Sequence, residues 1–154
     1  MPGVFISYAR EDVAWSRRLE VHLEPFKHQE GLRVFSDQAI EAGKLFRDTI
    51  LQAINTAQIA VLLVSADYLS SDFIRSVELP RIQERHLDGG TQVIPLLVQP
   101  CAWDEIPWLR DIEVRPRNAV PLAVRRHAGQ QAELANVVRE ILAFVRILPV
   151  QIAR

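Results

Sequence analysis

Cysteine, methionine and glycine are scarce in this chain of 154 residues: one Cys, one Met and six Gly. A lone Cys101 excludes an internal disulfide and a four-cysteine zinc site. The four histidines, His22, His28, His86 and His127, are scattered without zinc-ligand spacing, so no metal is expected. Neither sign of charge dominates. Eighteen basic and 19 acidic side chains leave a net charge of −1, which argues against a phosphate-backbone binder, so no direct nucleic-acid binding is expected. No run approaches the roughly 18–20 apolar residues of a membrane helix. The longest, Ile59 to Val64, has the length of a strand. The first residues, Met-Pro-Gly-Val-Phe-Ile-Ser, have no basic leader and no long apolar segment, so no signal peptide is expected and the expected location is cytoplasmic. The G-x-G-x-x-G and G-x-x-x-x-G-K-[ST] phosphate cradles are missing, as is a G-x-S-x-G nucleophile elbow. There is no repeat and no low-complexity tract.

What is present suffices for a core. The chain is 49% hydrophobic and 24% charged, which excludes intrinsic disorder. Its length suits one domain, expected over residues 1–154, either standing alone or as part of a longer protein.

Apolar runs alternate with segments of helical period. Val4 to Tyr8 reads as a strand, followed by Asp12 as a helix cap. Trp15, Leu19, Leu23 and Phe26 form one helical stripe. Gly31 breaks the chain, and Leu32 to Ser36 reads as a second strand. A loop from Asp37 to Lys44 precedes the stripe Phe46, Ile50, Ala53, Ile54 and Ala57. Ile59 to Ser65 is apolar almost throughout, as strands covered on both faces are. Ser70, Ser71 and Asp72 offer caps for a helix over Phe73 to His86, in which Pro80 marks an early turn or a kink. Val93 to Val98 reads as a fourth strand, interrupted by Pro95. A long loop, Pro100 to Arg117, follows, and Ala119 to Val124 is expected as a short fifth strand. Leu134, Val137, Val138, Ile141, Leu142 and Val145 define the last helix. This alternation predicts an α/β fold, a parallel sheet with helices on both faces. Ligands of such sheets bind beyond the carboxyl ends of the strands.

The residues able to do chemistry each have an ordinary reading too. Cys101 has no histidine neighbour in sequence and reads as a packed, inert thiol. Arg115, Arg117, Arg125 and Arg126 lie in an acid-free window, a solvated edge or a hold for an anion or acidic partner. Trp103 and Trp108 flank Asp104-Glu105, packing the loop or forming a contact surface. Taken singly, Glu78, Asp37 and Glu41 read as solvated carboxylates.

In combination these segments say more. Phe5-Ile6-Ser7-Tyr8 is followed by Glu11-Asp12, then Val34-Phe35-Ser36-Asp37 and Ile40-Glu41-Ala42-Gly43-Lys44. Ala60-Val61-Leu62-Leu63-Val64-Ser65 comes next, then Tyr68-Leu69-Ser70-Ser71-Asp72-Phe73-Ile74 and Glu78-Leu79. Val93-Ile94-Pro95-Leu96 precedes Pro100-Cys101-Ala102-Trp103. In this order and spacing the chain resembles a Toll/interleukin-1 receptor (TIR) domain of the bacterial type, over essentially its whole length. No single motif is specific; their order is.

The resemblance implies a flavodoxin-like, five-stranded parallel sheet in the order 2-1-3-4-5. It implies an NAD+ glycohydrolase or cyclase that cleaves the nicotinamide–ribose bond to ADP-ribose or a cyclic isomer. The catalytic glutamate of the family matches Glu78. Ser7, Tyr8, Arg10, Asp37, Glu41, Ser65, Phe73 and Ile74 are implied as substrate-binding positions. Many active members carry Trp where this chain has Ile74. The BB loop, about Asp37 to Phe46, includes Ala42, Gly43, Lys44, Leu45 and Phe46 as assembly residues. The implied partners are NAD+ as substrate, homotypic TIR–TIR assembly and a fused or separate sensor, with no cofactor beyond NAD+. The implied setting is bacterial anti-phage defence. The alternatives are a non-catalytic scaffold module and a virulence effector acting on host TIR signalling. A phosphoacceptor receiver domain shares the fold but would want an Asp, where Ser65 ends the third strand, and a Lys beyond Lys44, where none occurs.

Overall fold

A computed structural model describes residues 2–36 and 46–147. Asp37, Glu41, Ala42, Gly43, Lys44 and Leu45 lie outside the described residues; Phe46 opens a helix, and its side chain is not described.

Four strands, β1 (Gly3–Ser7), β2 (Arg33–Ser36), β3 (Ile59–Val64) and β4 (Gln92–Leu97), form one sheet in the order β2-β1-β3-β4. All neighbours run parallel: Val4 sits opposite Val34 and Ile59, and Val61 opposite Ile94. Around the sheet lie α1 (Val13–Gln29), α2 (Phe46–Thr56), α3 (Ala66–Ser70), α4 (Leu79–Leu87), α5 (Pro107–Asp111) and α6 (His127–Arg146).

The strands deal their side chains alternately to two cores, as the two-residue period requires. Val4, Ile6, Val61, Leu63, Ile94 and Leu96 face α1 and α6. Phe5, Ala60, Leu62, Val64, Val93 and Leu97 face α2 and α4. β3 is buried at all six positions because both its faces are covered. The helical stripes land where their periods put them: Leu19 and Leu23 of α1, Ile50 and Ile54 of α2, and Leu134, Val137, Val138, Ile141 and Leu142 of α6 are buried. Gly31 takes φ 69°, a left-handed turn that favours glycine, and lets the chain reverse from α1 into β2.

The expected fifth strand is corrected. Ala119 to Val124 is not extended: Ala119 has φ 60°, and Leu122–Val124 is a 3₁₀ turn. Among the described residues, only Arg115 meets the outer edge of β4, donating from its N to Pro95 O at 2.7 Å and accepting from Leu97 N at 2.7 Å. A residue's N–H and C=O point to the same side of a strand, so Pro95 turns its missing N–H outward, away from β3. An outer strand would find no donor there, and Pro116 next to Arg115 lacks one as well. The described sheet therefore has four strands and one bridge.

The helix expected at Phe73 to His86 forms, with an irregular start. Residues 72–87 are helical, but Ile74–Glu78 is a π turn in which Leu79 N bonds Ile74 O. Pro80 sits in the first turn of α4. Its ring would clash with the carbonyl of Ser76 in a regular α-helix, and the wider π turn relieves that clash. Ser71 Oγ accepts from Ile74 N at 3.3 Å and caps the segment.

Candidate functional site

The carboxyl ends of the strands bring two serines to one edge of the sheet. Ser7 is the last residue of β1, and Ser65 follows the last residue of β3. Beyond β1 the chain makes a 3₁₀ turn, Arg10–Asp12, closed by Asp12 N on Ala9 O at 2.8 Å. Beyond β3 it enters α3, whose cap is Ser65: its Oγ accepts from Tyr68 N at 3.0 Å.

Glu78, at the end of the π turn, has 0% of its surface exposed. Ser7 Oγ donates to Glu78 Oε1 at 2.7 Å. Tyr68 Oη lies 2.9 Å from Ser7 Oγ. The single proton of Ser7 goes to the carboxylate, so Tyr68 is the donor in that second bond. All three side chains are fully buried, beside the apolar α2/α4 layer that holds Ile74 and Ile82. A carboxylate so placed interacts more strongly with charge than one in water.

A second polar pair stands next to this one. Ser65 Oγ donates to Asp12 Oδ2. Asp12 is buried, and burial pushes its carboxyl up from the ordinary range. The Ser65 bond opposes that shift, while the charges of Asp67 and Glu11 add to it. Asp12 stands in the capping position of α1, yet its side chain makes no cap bond, because Ser65 holds it.

Of the positions the sequence singled out, Ser7 and Glu78 come into contact. Ser65 is one step removed, joined through Tyr68. Ile74 is buried and Phe73 half-buried in the same layer. Tyr8 is buried in the opposite layer, among the α1 and α6 side chains. Arg10 is exposed on the turn after β1. Cys101 is half-buried, and burial pushes its thiol up, which keeps it protonated and unreactive at neutral pH. Arg115 makes a forked bond to Glu140, with Nε at 3.0 Å and Nη2 at 2.8 Å, and Arg117 pairs with Glu113. Trp108 meets His86 edge-on and packs with Trp103 against the α2/α4 core. Among the described residues, no three His, Cys, Asp or Glu side chains converge as ligands.

The TIR domain family model matches residues 4–138. The chain belongs to the TIR family. A relative in Sinorhizobium fredii, the uncharacterized protein y4lF, is 36% identical over 122 residues, which are 79% of this chain. The chain spans 38% of that protein's length. The TIR domain of the Toll-related receptor TRR-2 of Hydra magnipapillata superposes with a TM-score of 0.57 at 24% identity, covering 90% of this chain and 96% of its own. The TIR domains of the activated Roq1 resistosome, which recognizes the pathogen effector XopQ, superpose with a TM-score of 0.57 at 19% identity, over 94% and 99%. At these identities the two structures speak for the fold alone. They share it although the sheet of this TIR domain has four described strands.

Proposed function

We propose that this TIR domain cleaves NAD+ at the nicotinamide–ribose bond, with Glu78 as the catalytic carboxylate. The observation that carries the reading is the Glu78 carboxylate itself, buried at the carboxyl edge of a parallel sheet and held by a serine from β1. The nicotinamide of NAD+ is cationic, so it departs neutral and needs no general acid. The C1′–N bond breaks, its electron pair stays on the nicotinamide nitrogen, and positive charge develops on the ribose. A carboxylate beside that ring stabilises the charge and can accept from its hydroxyls. Water adding at C1′ and losing a proton to solvent gives ADP-ribose; an adenine nitrogen adding instead gives a cyclic isomer. No metal and no further cofactor enters the scheme.

Ser7 orients the carboxylate. Arg10, exposed on the turn after β1, and Phe73, half-buried on the π-turn layer, line the nucleotide pocket in this reading, with Asp37 and Glu41 from the loop. Full burial of Glu78 means that the substrate reaches it only once a covering group moves. That supports activation by assembly, with Ala42, Gly43, Lys44, Leu45 and Phe46 proposed to make the homotypic contact. The proposed setting is bacterial anti-phage defence in the cytoplasm, with this domain answering to a sensor; among the described residues no helix is long and apolar enough to cross a membrane.

The test is NAD+ consumption by the purified chain, wild type beside Glu78→Gln, at low and high concentration with a crowder. Glutamine keeps the shape and can still accept from Ser7. A loss of at least about 100-fold in kcat with an unchanged melting temperature is expected. Equal turnover by both proteins rejects Glu78. A second reading, a scaffold without catalysis, is favoured by one observation: Ile74, buried, stands where many active members carry Trp. Absence of NAD+ loss at every concentration would select it.

A further inference from the structure

We propose that Tyr68 is a positioning residue for Glu78, acting through Ser7. This rests on the reading of Glu78 as the catalytic carboxylate. The Tyr68 hydroxyl lies 2.9 Å from Ser7 Oγ, and Ser7 Oγ lies 2.7 Å from Glu78 Oε1. A serine hydroxyl is a free rotor with one proton. Alone, it satisfies a carboxylate in any of several orientations. With a phenol donating to its oxygen, one lone pair is taken, the rotor is fixed, and the remaining proton points at Glu78. Each bond in such a chain polarises the next, so the Ser7 donation is stronger for having Tyr68 behind it.

Tyr68 is well placed to hold this direction because it is itself held at both ends. Its ring is fully buried in the α2/α4 core. Its backbone N donates to Ser65 Oγ at 3.0 Å, and Ser65 Oγ in turn donates to Asp12. The relay Asp12–Ser65–Tyr68–Ser7–Glu78 thus ties the turn after β1, the end of β3, the first turn of α3, the end of β1 and the π turn. A carboxylate meant to face a developing cation loses effect when it rotates, since its interaction depends on preorganisation.

The test is a double-mutant cycle in the purified chain, with Tyr68→Phe, Ser7→Ala and the pair, each read as kcat and KM for NAD+. Both substitutions delete one hydroxyl and keep the carbon framework. Tyr68→Phe is expected to lower kcat roughly tenfold with KM unchanged. In the Ser7→Ala background it should change kcat less than about twofold, because the relay is already cut. A Tyr68→Phe enzyme within twofold of wild type overturns the proposal. So does a tenfold loss that is the same in both backgrounds, or a drop in melting temperature without a change in kcat. If Tyr68→Phe does not fold, Ser7→Ala decides: kcat within twofold of wild type overturns the relay. If the wild type cleaves no NAD+, the catalytic reading fails. The positioning is then judged by a crystal structure of Tyr68→Phe, where a Glu78 carboxylate turned away from Ser7 supports it and an unmoved one overturns it.

Discussion

Asp12 carries a charge into a place that disfavours it. Burial raises its carboxyl above the ordinary value of 3.8, and nearby Asp67 and Glu11 push the same way. Between the ordinary and the raised value the folded chain binds more protons at this site than the unfolded chain does. Stability from the protonated form is therefore complete below 3.8 and is lost as pH rises through the folded value. Above that range a charged Asp12 weakens the fold. Asp12→Asn keeps an oxygen that can accept from Ser65 and removes the charge. It should melt a few °C above wild type at about pH 7, with the gap closing toward about pH 4. Melting curves across that range decide it, and a wild type more stable at neutral pH would mean that the charge has a compensating partner. At this scale the sequence was only partly legible. Glu78 was singled out by the order of motifs and Ser7 by its place at a strand end, and the contact between them is a feature of the folded chain. The Tyr68–Ser7 contact joins residues 61 apart, a tertiary meeting with no local pattern to announce it. Asp12 read as a helix cap because its spacing fits one; the competing Ser65 hydroxyl arrives from β3, 53 residues away.

Elements with a long period were readable, and short or interrupted ones were not. The stripe of α6, a helix of 20 residues, repeats from Leu134 to Val145 and lands in the core, and β3 is apolar along its whole length. α3 spans five residues, too few to display a period. The fifth strand failed on prolines: an apolar segment suggested it, and the missing donors of Pro95 and Pro116 prevent it. Pro80 is the most consequential of these residues, since it falls just after Glu78 and beside the π turn. Its relief of the Ser76 clash is our account of why the helix widens there. Pro80→Ala restores a donor in an exposed first turn and costs no buried contact. The melting temperature should stay level or rise. If the turn then tightens to a regular α-helix, Glu78 rotates off Ser7, and kcat for NAD+ should fall roughly tenfold. Unchanged turnover would show that packing, rather than Pro80, sets the register of Glu78.

At the scale of the whole molecule, the parallel sheet accounts for the place of the proposed site but leaves Glu78 with no surface for a substrate to touch. An isolated chain in this state should be a poor enzyme. The net charge of −1 offers little repulsion between copies, so association is electrostatically inexpensive. If contact between copies shifts the groups covering Glu78, activity per molecule depends on concentration. A self-contained enzyme instead has a flat specific activity. Over roughly a hundredfold range of protein concentration, we expect NAD+ consumption per chain to rise at least about fivefold, in step with the oligomer fraction seen by sedimentation. Gly43→Pro, in the loop proposed to make the contact, should flatten that rise while leaving the melting temperature within a few °C. A rise that survives Gly43→Pro would move the contact to another surface. A flat profile with full Glu78-dependent turnover would mean that a single chain uncovers its own carboxylate, and that assembly serves something other than catalysis.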